Sequence, residues 1–208
     1  MKKLKLFTEQ NESASRPILK DIYETNDYYI ASNGYVAAIE YKKDINSFKV
    51  VPWDENSSLH VVTGEIDKQR KTHSEMYSNQ VLGICRKDLI ESLKEQYKIL
   101  KEKGKQENKT IDKKDVKIEF HIDFKSNHCK YILYCNNDKM HITNDICTFQ
   151  EFTSQSNYNF EMIFSYEYIM NMLEFFTREK QLEFKFNNFV MFCQTKNKEV
   201  LLMKIRRN

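Results

Sequence analysis

Glycine and proline are scarce in this chain, four and two among 208 residues. No glycine-rich phosphate loop is found, and turns fall to Asn, Asp and Lys instead. Cysteine occurs five times, an odd count with no C-x-x-C, so reduced thiols in the cytoplasm are expected rather than a disulfide framework. No apolar run reaches bilayer length, which leaves no membrane partner to expect. The N-terminal Met1-Lys2-Lys3-Leu4-Lys5-Leu6-Phe7 starts basic, but no apolar run continues from it, so it does not read as a signal peptide. A net charge of +3 excludes a histone-like mode of binding while permitting a local basic face. G-x-S-x-G and H-E-x-x-H are missing and no acidic pair stands out. No catalytic residue, resident metal or cofactor is therefore expected, and the chain reads as a non-enzyme.

What is present is an α+β pattern. Apolar residues make up 40% of the chain and aromatics 13%, mostly Tyr and Phe, which favour strands. A module of strand, helix and three strands is clearest at the C-terminus. Phe160, Met162 and Phe164 alternate as a strand. Ser165 stands at an N-cap, and Ile169, Met172, Leu173 and Phe176 fall at helical spacing. Leu182 to Phe186, Phe189 to Cys193 and Val200 to Ile205 follow as strands joined by short turns, so antiparallel pairing is expected. The middle of the chain repeats the order. Val81 to Ile84 is a strand, and Leu89, Ile90, Leu93, Tyr97 and Leu100 mark a helix ending near Gly104. Val116 to Phe124 alternates cleanly, and Tyr131 to Cys135 and Met140 to Thr143 flank a turn at Asn136-Asn137-Asp138. A third, weaker copy occupies the N-terminus. Leu4 to Phe7 reads as a strand, the helix between Phe7 and Arg16 lacks an apolar face, and Ile18 to Tyr23, Tyr28 to Ser32 and Tyr35 to Tyr41 form a meander with Asn33-Gly34 as a hairpin signal. Possible strands around Phe48 to Trp53 and Leu59 to Thr63 do not fit the module, and Lys101 to Asp115 reads as a charged, mobile linker. Two domains, 1–79 and 80–208, are expected from this pattern.

Two segments carry a resemblance. Ser13-Ala14-Ser15-Arg16-Pro17-Ile18-Leu19, with Tyr29-Ile30-Ala31-Ser32-Asn33-Gly34-Tyr35-Val36-Ala37 after it, is similar to the start of the middle domain of bacterial sliding clamps, the beta subunit of DNA polymerase III. Phe164-Ser165-Tyr166-Glu167-Tyr168-Ile169-Met170-Asn171-Met172-Leu173 and Val200-Leu201-Leu202-Met203-Lys204-Ile205-Arg206 resemble the final helix and closing strand of the same family. The resemblance implies a shortened, divergent member with a sliding-clamp fold of repeated βαβββ modules, antiparallel sheets and helices on one face. It implies a homo-oligomeric ring, with three copies for a two-domain chain, and a replication accessory role in a phage or other mobile element. Duplex DNA and DNA polymerase or other replication proteins are the implied partners. Carried over by position, Ser32, Gly34, Tyr35, Val36 and Ala37 would form one wall of a partner-peptide pocket, and Met203 and Ile205 the other. Asn33, Val36 and Lys204 depart from the family's Asp, Arg and Pro.

Residues 86–114 hold ten Lys/Arg against six Asp/Glu. Arg86, Lys87, Lys94, Lys98 and Lys101 are the candidates for loose, sequence-independent phosphate contacts; the competing reading is a solvated helix face. The segment 165–180 has two basic and three acidic side chains and adds nothing to that face. An alternative function follows, a clamp-like adaptor or inhibitor that binds host replication proteins without encircling DNA. His121, His128, Cys129, Cys135 and His141 lie close in sequence, yet they lack knuckle spacing and fall on strands whose side chains alternate faces, so buried thiols and cross-strand histidines account for them.

Overall fold

The computed structural model describes residues 3–10, 17–24, 26–43, 81–123, 128–135, 143–147, 159–186 and 190–205. In chain order the elements are β1 (Tyr23–Glu24), β2 (Tyr28–Ser32), β3 (Val36–Tyr41), β4 (Val81–Cys85), α1 (Arg86–Gln106), β5 (Val116–Asp123), β6 (His128–Cys135), β7 (Thr143–Cys147), β8 (Asn159–Ser165), α2 (Tyr166–Phe175), β9 (Gln181–Phe186), β10 (Val190–Gln194) and β11 (Lys198–Met203). No helix among the described residues is long and apolar enough to cross a membrane. The chain divides into two compact units, Met1–Ser78 with Phe184–Met203, and Asn79–Glu183 with Lys204–Asn208. The first unit is discontinuous in sequence, because it takes in Phe184–Met203 from near the C-terminus.

In the first unit β3 pairs with β2 on one side and β11 on the other, and β10 joins β11 to β9, all antiparallel. Strands β2, β3 and β11 are almost continuously buried. Leu19, Tyr28, Ile30, Ala37, Ile39 and Tyr41 form one apolar cluster, and Val190, Phe192 and Leu201 form another against which Met203 packs. Sheet strands buried on both faces read as apolar runs rather than alternation, which is how Val36-Ala37-Ala38-Ile39 reads. Glu199 is a charged exception, 2% exposed, and its carboxylate accepts a hydrogen bond from the Tyr41 hydroxyl at 3.1 Å.

In the second unit the sheet order is β7-β6-β5-β8. The first strand of the C-terminal module, β8, therefore pairs with β5 in the meander of the middle module, and these two modules are the two repeats. Strand β4 is in turn the hydrogen-bonded neighbour of β9, and the amide of Arg86 donates to the carbonyl of Lys180 at 2.9 Å. One face of the four-stranded sheet is apolar. Ile118, Phe120 and Ile122 of β5 stand opposite Leu133, Tyr131 and Cys129 of β6, and Ile118 and Phe120 stand opposite Phe164 and Met162 of β8. Phe120 packs edge-on to Phe164 with ring centroids 6.2 Å apart. The helices supply the other half of this core, with Leu89, Leu93 and Leu100 from α1 and Ile169, Met172 and Leu173 from α2. Three hydroxyls here are tied. The Ser92 and Tyr131 hydroxyls are hydrogen-bonded to each other, Tyr166 donates to the carbonyl of Leu93 at 3.5 Å, and its ring stacks on Tyr97 at 4.9 Å. Burial pushes the Tyr166 phenol up, so it remains a donor.

Several expectations need correction. Leu4–Phe7 is a 3-10 turn, not a strand. A strand would bring Leu4 and Leu6 to one face, whereas the buried pair is Leu4 and Phe7, three apart, with Leu6 36% exposed; that spacing suits three residues per turn. Pro17–Lys20 is likewise a 3-10 turn opened by a residue with no N–H to give, and the strand there shrinks to Tyr23–Glu24. Lys101–Gln106 continues α1 instead of starting a linker. Gly104 is inside the helix, and the left-handed residue is Asn108, φ 56°. The Lys109 amide donates to the Gly104 carbonyl (2.8 Å) and the Asn108 amide to that of Lys105 (3.1 Å), a Schellman ending with Asn in glycine's usual place. A Cβ on Gly104 would lie 2.6 Å from Ile111 Cδ1, so the glycine serves the packing of Ile111. Ser165 occupies the N-cap position of α2 without a side-chain cap bond. The expected strands at 48–63, the helix across 11–16, the turns at 136–138 and 187–188, and Met140 fall outside the described residues.

Cys129 is fully buried, and burial pushes its thiol up to about 12. Alkylation of Cys129 at neutral pH should therefore wait on unfolding of the second unit. Leu93→Ala, which empties a fully buried site, should cost about 2–5 kcal/mol in denaturant unfolding and speed Cys129 alkylation in step. Rapid labelling of Cys129 in the folded wild type would contradict this core.

Candidate functional site

The β2–β3 hairpin holds most of the predicted peptide-pocket residues. Its tip is built around Asn33, which is 9% exposed. The Asn33 side-chain oxygen accepts from the amides of Tyr35 (3.0 Å) and Val36 (3.1 Å), and the Ser32 hydroxyl accepts from Gly34 at 3.1 Å. The Asn33 amide donates to the Val36 carbonyl at 3.2 Å, so the two central residues are Gly34 and Tyr35. Gly34 has φ 88° while Tyr35 stays out of the left-handed region. A positive φ at the first central position alone is the II′ pattern, with glycine where the backbone demands it. The Asn-Gly signal thus located the hairpin, with the turn one residue later than an Asn-Gly I′ turn.

The tip projects one aromatic. Tyr35 is 64% exposed, while Val36 and Ala37 are buried and Ser32 is nearly so. Val36 pairs with Leu202 and Ala37 with Leu201, and the Met203 amide donates to the Tyr35 carbonyl at 2.8 Å. Ser32, Gly34, Tyr35, Val36, Ala37 and Met203 are therefore brought together in the first unit, with exposed Tyr35 and half-buried Met203 as the side chains a partner could touch. Ile205 belongs to the second unit, where its amide donates to the Ile163 carbonyl at 2.8 Å.

The basic candidates lie on α1. Leu89, Leu93, Gln96, Leu100 and Gly104 form its buried face. At roughly 100° per residue, Lys87, Lys94, Lys98 and Lys101 fall within an arc of about 60° on the far side. All four are exposed, and Lys105 falls on the same arc. Lys87 faces Glu91 at 3.6 Å, an exposed i,i+4 pair of little energetic weight. The Lys101 ammonium stands 5.6 Å over the Tyr97 ring. Arg86 is different. It is half-buried, and its Nε donates to the Leu173 carbonyl at 2.6 Å, tying the start of α1 to the last turn of α2. Lys105 was missed because its segment read as linker; continuing the Lys94-Lys98-Lys101 spacing by four would have found it.

The histidine and cysteine group is split by the sheet. Cys129 and Cys135 are on the buried face of β6, whereas His121 pairs with Lys130 and Glu161 on the opposite face. Two residues on opposite faces of one sheet cannot share an ion. His141 and the side chain of His128 lie outside the described residues.

No family model matches the sequence, and no curated protein matches it. Solved structures do match. The DNA polymerase sliding clamp of Bacillus subtilis is similar with a TM-score of 0.65 at 11% identity, covering 99% of this chain and 61% of the clamp. The sliding clamp of Caulobacter crescentus gives 0.62 at 10% identity, covering 99% and 62%. The beta subunit of the Streptococcus pyogenes DNA polymerase gives 0.59 at 10%, covering 99% and 63%. The chain thus has the sliding-clamp fold, as the resemblance in sequence implied, and spans about three-fifths of the length of these structures.

Asn33→Ala leaves two tip amides without their acceptor and should cost about 1–3 kcal/mol in denaturant unfolding. Asn33→Asp keeps an acceptor oxygen and should retain stability. Equal losses in both variants would show that the tip does not depend on that oxygen.

Proposed function

We propose that this chain is a sliding-clamp-like replication accessory protein that retains duplex DNA by topology and offers the β2–β3 tip to partner peptides. The observation that carries the proposal is the lysine stripe of α1, aligned on the exposed side of a helix in a sliding-clamp fold. A 21-residue helix is about 31 Å long, enough to lay the stripe along a DNA backbone. Ammonium groups on long stems suit the role, because they neutralise phosphates without reading bases and so hold DNA without fixing a position on it. Lys87, Lys94, Lys98 and Lys101 are the proposed phosphate contacts, joined by Lys105. Arg86 acts through its tie to α2.

The tip suits a short peptide for a separate reason. Tyr35 presents a large, stiff ring on a turn whose backbone is fixed by Asn33 and Met203, so little order is lost when a partner packs on it. DNA polymerase and other replication proteins are the proposed partners. A chain of this length is proposed to close its ring as a homo-oligomer of three copies.

A second reading, an adaptor that binds replication proteins without encircling DNA, is favoured by one feature. Helix α2 carries Glu167 and Glu174 and no lysine or arginine, so the basic surface stays on one helix.

Retention on DNA separates the readings. The wild type should stay on closed circular DNA through a gel-filtration column and leave once the circle is cut. Lys94→Glu, Lys98→Glu and Lys101→Glu together should abolish retention. Neutral Ala variants should weaken binding and lower the slope of log K against log salt by about one per lysine removed. A protein that recovers replication proteins from extract but never stays on circles would overturn the clamp reading in favour of the adaptor.

A further inference from the structure

The face of the second unit's sheet that turns away from its helices carries an unexpected group. Glu119 and His121 alternate along β5 and point to the same side, and Glu161 of β8 stands opposite His121. The imidazole lies between the two carboxylates. Its Nε2 is 3.5 Å from Glu119 Oε1 and its Nδ1 is 3.3 Å from Glu161 Oε1. One ligand atom from each of the three residues lies within 4.8 Å of the others.

Two observations set this apart from an ordinary surface ion pair. Glu119 is 7% exposed, so its carboxylate is held out of water beside the imidazole. Nε2 of His121 is buried and makes no hydrogen bond, since its approach to Glu119 is too long and poorly aimed to count as one. An imidazole nitrogen that is buried without a hydrogen bond, beside a buried carboxylate, sets two metal-ligating atoms side by side.

We propose that Glu119, His121 and Glu161 form a binding site for a divalent cation of the zinc class. One imidazole nitrogen and two carboxylate oxygens are a borderline set, which suits Zn²⁺ better than the all-oxygen shells of Ca²⁺ or Mg²⁺. Ligand atoms about 2.0–2.2 Å from a tetrahedral ion lie roughly 3.3–3.5 Å apart, so binding draws the two carboxylates inward onto a single ring nitrogen, with water in the remaining position. Lys130, opposite His121 on β6, is a competing cation. An ion here would staple β8 to β5, the pairing that joins the two repeats, so the site would reinforce the fold where one repeat depends on the other. The inference rests on neither the DNA reading nor the peptide reading.

Titration of the metal-free protein with Zn²⁺, followed by calorimetry and thermal melting, tests it. Co²⁺ absorption reports the ligand type. One Zn²⁺ per chain should bind and raise the melting temperature. His121→Asn and, separately, Glu161→Gln should each weaken binding by about tenfold or more. Glu161 is half exposed, so its Gln variant should fold even where the His121 variant is less stable. Co²⁺ should show d–d bands without thiolate charge transfer. Absence of saturable binding, binding unchanged in both variants, or a thiolate band from cysteine ligation would each overturn the site.

Discussion

The rotation of α1 about its own axis is fixed by one constraint, the burial of Leu89, Leu93 and Leu100 against the apolar face of the β5–β6–β8 sheet. Each leucine is worth about 1.5–3 kcal/mol out of water, and no other rotation of the helix buries all of them. Everything on the outer surface of α1 follows. Lys87, Lys94, Lys98 and Lys101 point to solvent because the leucines do not. The Ser92–Tyr131 and Tyr166–Leu93 hydrogen bonds then hold the helix along its length, and Arg86 holds its start to α2. A basic face organised this way is a consequence of core packing.

The same dependence runs through the sheets. A β-α-β-β-β repeat in isolation would leave its first strand unpaired. Here β8 pairs with β5, and β4 is the neighbour of β9, so each repeat completes itself with a strand of the other. That exchange also gives the Glu119–His121–Glu161 group its place, across the pairing of β5 and β8.

Much of this was legible in the sequence where one physical period dominates. Alternation from Val116 to Ile122 located β5, the leucine spacing located α1, and Asn33-Gly34 located the hairpin. Legibility failed where tertiary context overrides local pattern. Leu4 and Phe7 read as a strand because both are apolar, and only their burial at a spacing of three reveals the turn. Lys101 to Gln106 read as linker because charge masks helix, and the Schellman ending at Asn108 depends on hydrogen bonds that composition does not show. The exchange of first strands between repeats is invisible to any one segment. For the sites, the spacing of lysines on α1 was readable and Lys105 was recoverable from it. Arg86 could not be told from its neighbours without the Leu173 carbonyl it binds. Glu161 lies far along the chain from His121, and nothing but strand register brings them together.

The proposal that this fold closes around DNA is tested most directly by the mass of the protein in solution. Light scattering on the eluting peak, across dilution to working concentrations, should give three copies of the 25.0 kDa chain. A strict monomer at every concentration, with and without DNA, would contradict the account.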